Sequence, residues 1–237
     1  MNKDSNYVCP IPPATHNKFD ESHYFLHRSM EEFHEPDPFR WNLNAFLQAL
    51  RSVTDILKSE LKPRNRKSFE LWFSDWKIKM QQDELLQKFI HGRNIVVHRG
   101  MLQHKSRVET GLFRGYQMKL GFEREIDINF PSSVILRHMI ETDAGGYIDA
   151  EHSAIGEQLG IRRTWIVEDL GQNDEDVLNL CHRAWSRISQ IVSAAHEFAG
   201  AKLPSVEESS DVHDITRIGV LLESDLDPTL PKQWGWE

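Results

Sequence analysis

Apolar residues recur at three- and four-residue steps through the first half of this chain, alternate with polar ones near its middle, and return to helical spacing towards residue 200. The clearest run is Phe39, Leu43, Phe46, Leu47, Leu50, Val53, Leu57 and Leu61, one side of a helix about six turns long. The opposite side carries Arg40, Asn44, Gln48, Arg51, Asp55 and Lys58. Upstream, Phe25, Leu26, Met30 and Phe33 predict a shorter helix over 20–34, ended by Pro36 and Pro38. After Pro63, Phe69, Trp72, Phe73, Trp76 and Met80 share one stripe of a helix over 68–81, with the spacing of core aromatics. Asp83 is placed to cap a third long helix, with Leu85, Leu86, Phe89, Ile90, Val96 and Val97 inward and Gly100 as its stop.

Strand periodicity follows. Met118, Leu120 and Phe122, then Ile126, Ile128 and Phe130, alternate with polar or small residues, which predicts two or three antiparallel strands between 108 and 130. Gly111, Gly115 and Gly121 are expected at turns or bulges. The stretch 131–162 has no single reading: 133–140 suits strand or helix, and Gly145-Gly146 marks a turn. A short strand over 164–167 precedes a fourth bundle helix, capped by Asn173 or Asp174, with Val177, Leu178, Cys181, Trp185, Ile188, Val192, Ala195 and Phe198 inward. The expected fold is mainly α, of the α+β class: a helical bundle with a small antiparallel β insertion between its third and fourth helices. The expected divisions are a flexible arm over 1–18, containing Pro10, Pro12 and Pro13; the bundle proper over 19–106; the strand-rich insertion over 107–170; the last bundle helix over 171–202; and an acidic extension over 203–237. That extension holds a possible strand at 215–222 and ends in Trp234-Gly235-Trp236, to which the pattern assigns no role.

Composition narrows the class. With 237 residues, 39% hydrophobic, the chain can bury a real core. No apolar run approaches the ~20 residues of a membrane helix, and the first residues lack a secretory apolar stretch, so a cytoplasmic protein without membrane partners is expected. Cys9 and Cys181 are far apart and unpaired in spacing, which suits a reducing compartment; neither reads as catalytic, and Cys181 sits among apolar positions as a small hydrophobe. The net charge of −8 argues against nucleic acid until its distribution is considered: residues 40–107 carry +8 and the remainder −16. Within the basic part, Lys58, Lys62, Arg64, Arg66 and Lys67 cluster around Pro63, a candidate phosphate-contacting surface; a solvated interhelical loop is the plainer reading of any one of them.

The candidate chemistry is Arg93-Asn94-Ile95-Val96-Val97-His98, with Arg99 adjoining. With 16 Arg and 12 His, about two Arg-to-His pairs with four to six intervening residues arise by chance, and three occur. Neither Arg28 to His34 nor Arg99 to His104 has a polar residue directly after the arginine followed by a helical apolar run, as Arg93 has. Arg93 and His98 are about 140° apart around a helix, so they share a cleft only if the arginine reaches across or a second chain completes the groove. Histidine near a helix C-terminus and arginine paired with a carboxylate are the ordinary structural roles of these residues.

An arginine, a small polar residue, three apolar residues and a histidine at the end of a bundle helix resemble the active-site motif of the HEPN (higher eukaryotes and prokaryotes nucleotide-binding) ribonucleases. The resemblance covers residues 37–100 and the helix at 174–200. It implies a dimeric bundle and a metal-independent endoribonuclease of toxin or defence type, whose partners are RNA, a second copy and an antitoxin or regulatory protein. His98 would move protons, Arg93 would bind the phosphoryl oxygens, and Asn94 would orient them. Lys58, Lys62, Arg64, Arg66, Lys67 and Arg99 would contact RNA phosphates. No cofactor or metal is expected, since His91, His98 and His104 are too loosely spaced for a zinc set and no phosphate-loop or dinucleotide glycine pattern is present. The alternatives are a non-catalytic HEPN-like RNA- or nucleotide-binding or dimerisation module, and a small-molecule enzyme built on the strand-rich insert.

Overall fold

The computed structural model describes residues 9–63, 66–114, 117–139, 158–171, 175–201 and 217–220. In order these form α1 (Pro13–Glu31), α2 (Pro36–Leu61), α3 (Arg66–Gln82), α4 (Glu84–Arg99), β1 (His104–Arg114), β2 (Gln117–Ile126), α5 (Ser132–Met139), β3 (Gln158–Val167), α6 (Val177–Phe198) and β4 (Ile218–Val220). The protein is mainly helical with one antiparallel sheet in the order β2-β1-β3-β4.

The helix starts show which local signals prevail. α1 begins inside the stretch expected to be an arm, and Pro12 offers its first turn no side-chain cap. The acceptor comes from across the bundle: Glu60, in the last turn of α2, accepts from the Ala14 and Thr15 N–H groups at 3.2 and 3.0 Å and from the Thr15 hydroxyl at 2.5 Å. A carboxylate at a helix N-terminus satisfies orphan donors and opposes the macrodipole. Pro36, expected as a stop, is the first residue of α2, where its missing N–H costs nothing. Asp83 caps α4 as expected, accepting from Leu86 N–H at 3.1 Å, and Gly100 ends the helix at φ 88°.

One residue, Asp83, separates α3 from α4, so the two form a bent rod rather than a hairpin. Phe69 and Trp72 of α3 meet Phe198 at the end of α6, and Phe89 of α4 meets Phe46 near the start of α2. The rod therefore runs antiparallel to α2 along most of its length. The bundle consists of α1, α2, the rod and α6, around a core that includes Leu43, Phe46, Leu50, Val53, Leu57, Leu86, Leu178, Cys181, Ala184 and Ile191. A second, smaller core joins the sheet to α5 through Val108, Ile135, Leu136 and Ile161.

β3 is longer than the strand expected at 164–167 and enters the unassigned stretch, as does α5. Gly111 and Gly121 lie opposite one another within the strands, not at turns; a Cβ on Gly121 would strike the Thr110 carbonyl oxygen. The irregularity falls instead between Leu112 and Phe113. Gly115, Gly145, Gly146 and the terminal Trp-Gly-Trp lie outside the described residues, as do Asn173 and Asp174; α6 is capped by Asp176.

The sheet is locked to the bundle at Trp165. Its indole donates to the Phe33 carbonyl oxygen at 2.8 Å, its ring stacks on Phe39 at 4.8 Å, and the Arg163 guanidinium lies 3.8 Å from the ring centroid. Arg163 is fully buried and donates to the Ser106 hydroxyl and to the Phe130 and Ile128 carbonyls, at 2.9, 2.8 and 3.3 Å. Burial, followed by the charge of Arg40, brings its pKa down to about 10, so it remains a cation at neutral pH.

Asp176 ties this junction to α6. Its two carboxylate oxygens accept from Trp165 N–H at 3.0 Å and Leu178 N–H at 2.9 Å. Burial raises its pKa to about 6, against the lowering effects of Arg217 and the two backbone donors. Asp176→Ala is expected to lose about 2–4 kcal/mol in denaturant unfolding, combining a lost cap with a stranded buried donor. Asp176→Asn should also lose stability, because its amide sets an NH₂ against one of the two N–H groups; full stability in both variants would contradict this arrangement.

Burial lowers the pKa of His104 and His182, in His104 against a raising bond to the Leu102 carbonyl, and in His182 with help from His27 and His23. Both rings should titrate below 6.5 in ring-resolved NMR spectra. The folded pKa values are depressed, so between them and 6.5 the unfolded chain binds more protons and these histidines make stability fall as pH drops below about 6.5. Asp176, with a raised folded pKa, opposes them between about pH 4 and 6. Midpoints at or above 6.5 would show that the rings are solvated.

Candidate functional site

Arg93, Asn94, Val97 and His98 span the outer arc of the last turns of α4, within about 140° at 100° per residue. Asn94 and His98 are exposed and Arg93 is half-buried. Val97 leaves 45% of its surface exposed, and Met101, just beyond the Gly100 stop, leaves 61%. Inward, Phe89, Gly92 and Ile95 hold the helix to the core. Gly92 lets the Leu170 side chain pack against the helix backbone, since a Cβ there would force that side chain to shift.

One Arg93 Nη donates to Asn94 Oδ1 at 3.2 Å, while its Nε is buried without a hydrogen-bond partner among the described residues. The ion pairs nearby involve other groups, Lys105 with Glu168 at 2.5 Å and Arg187 with Asp83 at 3.4 Å. Among the described residues no carboxylate pairs with Arg93 or His98. Within one chain the arc is a surface with cationic, amide and imidazole groups around an apolar strip, not a closed cleft.

The basic cluster lies elsewhere. Lys58 is exposed near the end of α2, 6.0 Å from the Phe73 ring centroid; Lys62 pairs with Glu70 at 3.2 Å; Lys67 is exposed near the start of α3. Arg64 is outside the described residues, as is the side chain of Arg66. Because α4 meets α2 at Phe46 and continues away from Lys58, a rise of 1.5 Å per residue separates the cluster from Arg93 by roughly 20–30 Å. Arg99 alone of the expected phosphate contacts is beside the motif, exposed in the last turn of α4.

The inner side of that bend holds a groove of about 290 Å³, floored by Leu47, Leu50, Phe89 and Ile188 and rimmed by Arg51, Lys58 and Lys77. Arg51 pairs with Asp55 at 2.9 Å on the rim. His104, weighed with His91 and His98 as a metal set, is half-buried, with His91 and His98 exposed on α4.

Sequence reasoning missed a compact group at the far end of the bundle. Cys9 Sγ lies 3.2 Å from His16 Nε2 and 3.3 Å from His196 Nε2, and the two nitrogens are 3.2 Å apart. α1 supplies His16 and α6 supplies His196. His196 is buried, and its Nδ1–H donates to the Val192 carbonyl at 2.8 Å, leaving Nε2 with its lone pair towards the group. Burial, then the proximity of His196, lowers the pKa of His16, against Asp20 and Glu60. The one local sequence signal was Cys9 seven residues before His16; the third member is 180 residues further on.

Among the described residues no helix is long and apolar enough to cross a membrane. No curated protein and no solved structure matches the chain significantly. The sequence profile of the family described as bacteriophage lambda protein ea47 matches residues 3–218, nearly the whole bundle and sheet, and the chain belongs to that family.

Proposed function

We propose that this protein is a HEPN-type, metal-independent endoribonuclease that acts as a homodimer through the outer arc of α4. The observation that carries this reading is the outward set of exposed Asn94, Val97 and His98 with half-buried Arg93, in which neither Arg93 nor His98 has a carboxylate partner among the described residues. Cleavage without a metal requires removal of the ribose 2′-OH proton, protonation of the leaving 5′-oxygen, and stabilisation of charge on the phosphoryl oxygens. His98, an exposed imidazole, serves as general acid/base; the Arg93 guanidinium donates paired hydrogen bonds to the phosphoryl oxygens, oriented by Asn94. The product is a 2′,3′-cyclic phosphate and a 5′-hydroxyl. Val97 and Met101 supply the apolar strip on which a two-fold copy packs, which brings Arg93 of one chain towards His98 of the other. The basic residues at the far end of α2 then serve an extended RNA rather than the scissile phosphate. Residence in a cytoplasm and control by an antitoxin-like partner complete this reading.

The same apolar strip favours a second reading, a non-catalytic dimerisation module in which the arc binds RNA or another ligand without cleaving it. Activity separates them. Purified protein should cleave single-stranded or loop RNA with EDTA present and leave cyclic-phosphate ends, and His98→Ala should lower turnover by about 10²- to 10⁴-fold. Cleavage only with added divalent metal, or unchanged turnover in folded His98→Ala, defeats the mechanism.

The composite groove makes a separate prediction. A mixed dimer of Arg93→Ala and His98→Ala chains retains one native Arg93 and one native His98 and should differ in activity from either mutant homodimer. A protein monomeric by sedimentation at micromolar concentration yet fully active excludes the shared groove.

A further inference from the structure

Three donor atoms from distant parts of the chain converge at the end of the bundle opposite the α4 arc. Cys9 Sγ, His16 Nε2 and His196 Nε2 form a triangle with edges of 3.2, 3.3 and 3.2 Å. Such contacts cannot all be good hydrogen bonds. An imidazole nitrogen carries either one proton or one lone pair, directed along one line in the ring plane, and cannot serve two partners some 60° apart. In a neutral His196 ring the Nδ1–H given to the Val192 carbonyl leaves only a lone pair at Nε2.

A cation near the middle of the triangle satisfies all three donors at once. The centre of a triangle with these edges is about 1.9 Å from each corner, so an ion slightly above the plane reaches the ~2.0–2.3 Å bonds of zinc to imidazole and thiolate. Tetrahedral bonds of those lengths place their donors about 3.3–3.6 Å apart, close to the observed edges. The His196 to Val192 bond is the outer contact that sets the tautomer and angle of a ligating histidine. Asp20 and Glu60 add negative charge beside His16. Thiolate with two imidazoles suits zinc-class ions, not magnesium or calcium.

We propose that Cys9, His16 and His196 bind one zinc-class divalent ion, which fastens the chain ahead of α1 to α1 and α6. The fourth tetrahedral position is filled by water or an added donor. The ion binds the thiolate, so loading releases the Cys9 proton to solvent. Glu60, which caps α1 from α2, makes the clip continuous with the α1–α2 pair. The site does not rest on the ribonuclease reading, and its tests use no enzymatic activity.

The experiment uses the full chain purified without a polyhistidine tag. Elemental analysis after zinc loading and desalting should give one equivalent per chain, falling to background in Cys9→Ser and in His16→Gln. Cobalt(II) should give tetrahedral visible bands with a near-ultraviolet thiolate charge-transfer band that Cys9→Ser lacks. A chelator should lower the thermal midpoint of the native protein and leave that of Cys9→Ser unchanged. Circular dichroism establishes that each variant is folded; His16→Gln provides the second arm should Cys9→Ser misfold. Native protein that fails to retain zinc, cobalt binding without the thiolate band, or full zinc content in both folded variants would each overturn the proposal. A metal-free protein whose Cys9 reacts rapidly with an alkylating agent would identify the triangle as a thiol–imidazole pair.

Discussion

The arrangement depends on a buried arginine laid against a buried indole. Arg163 and Trp165 are two residues apart on β3, hence on one face of the sheet, and Phe39 of α2 covers the other side of the indole ring. Taking a guanidinium out of water is expensive without compensation. Here the cation meets the Trp165 ring face and the Ser106 hydroxyl within the sheet and two carbonyls in the connection between β2 and α5. A neutral side chain of the same size would leave the Ile128 and Phe130 carbonyls without this donor and would release the connection between β2 and α5. The charge at Arg163 is therefore a structural requirement of the sheet–bundle junction.

That junction has consequences for α4. With Trp165 fixed on α2 and tied through Asp176 to α6, the turn after β3 packs Leu170 onto Gly92, which holds the inner face of α4 and leaves its outer arc in solvent. Asp83 acts at the other end of the same helix. By capping α4 directly after α3 it prevents a reversal of the chain, so the rod bends and continues. The distance between the basic cluster and the Arg/His arc follows from the length of α4 beyond its contact with α2 at Phe46.

Much of the bundle was legible because its helices have one strongly apolar side: α2, α4 and α6, the Asp83 cap and the Gly100 stop all follow from spacing and cap chemistry. What was not legible has identifiable causes. The start of α1 is capped by Glu60, 45 residues after Thr15, and no local pattern records that. In β3 the inward positions are Ile161, Arg163, Trp165 and Val167, and a buried arginine in that row disguises the alternation. Asp176 was passed over for residues two or three places earlier, because cap-forming residues crowd that stretch. At the candidate site, the Arg93 motif could be read as a local string, but its distance from Lys58 and Lys62 depends on helix directions that periodicity does not reveal. The Cys9, His16 and His196 group needs a contact across 187 residues.

The two ends of the bundle place opposite demands on histidine. At the α4 arc, His98 is exposed and open to substrate and solvent, as acid/base chemistry requires. At the far end, His196 is buried with its Nδ1–H committed to the Val192 carbonyl, which fixes the ring and directs the other nitrogen, as metal ligation requires. Exchanging the environments would disable both roles: burial would close His98 to substrate, and loss of the Val192 bond would free the His196 ring to rotate. The difference comes from the packing of the helices that carry them. α6 buries the side that bears His196 within the bundle, whereas Asn94, Val97 and His98 in the last turns of α4 are exposed.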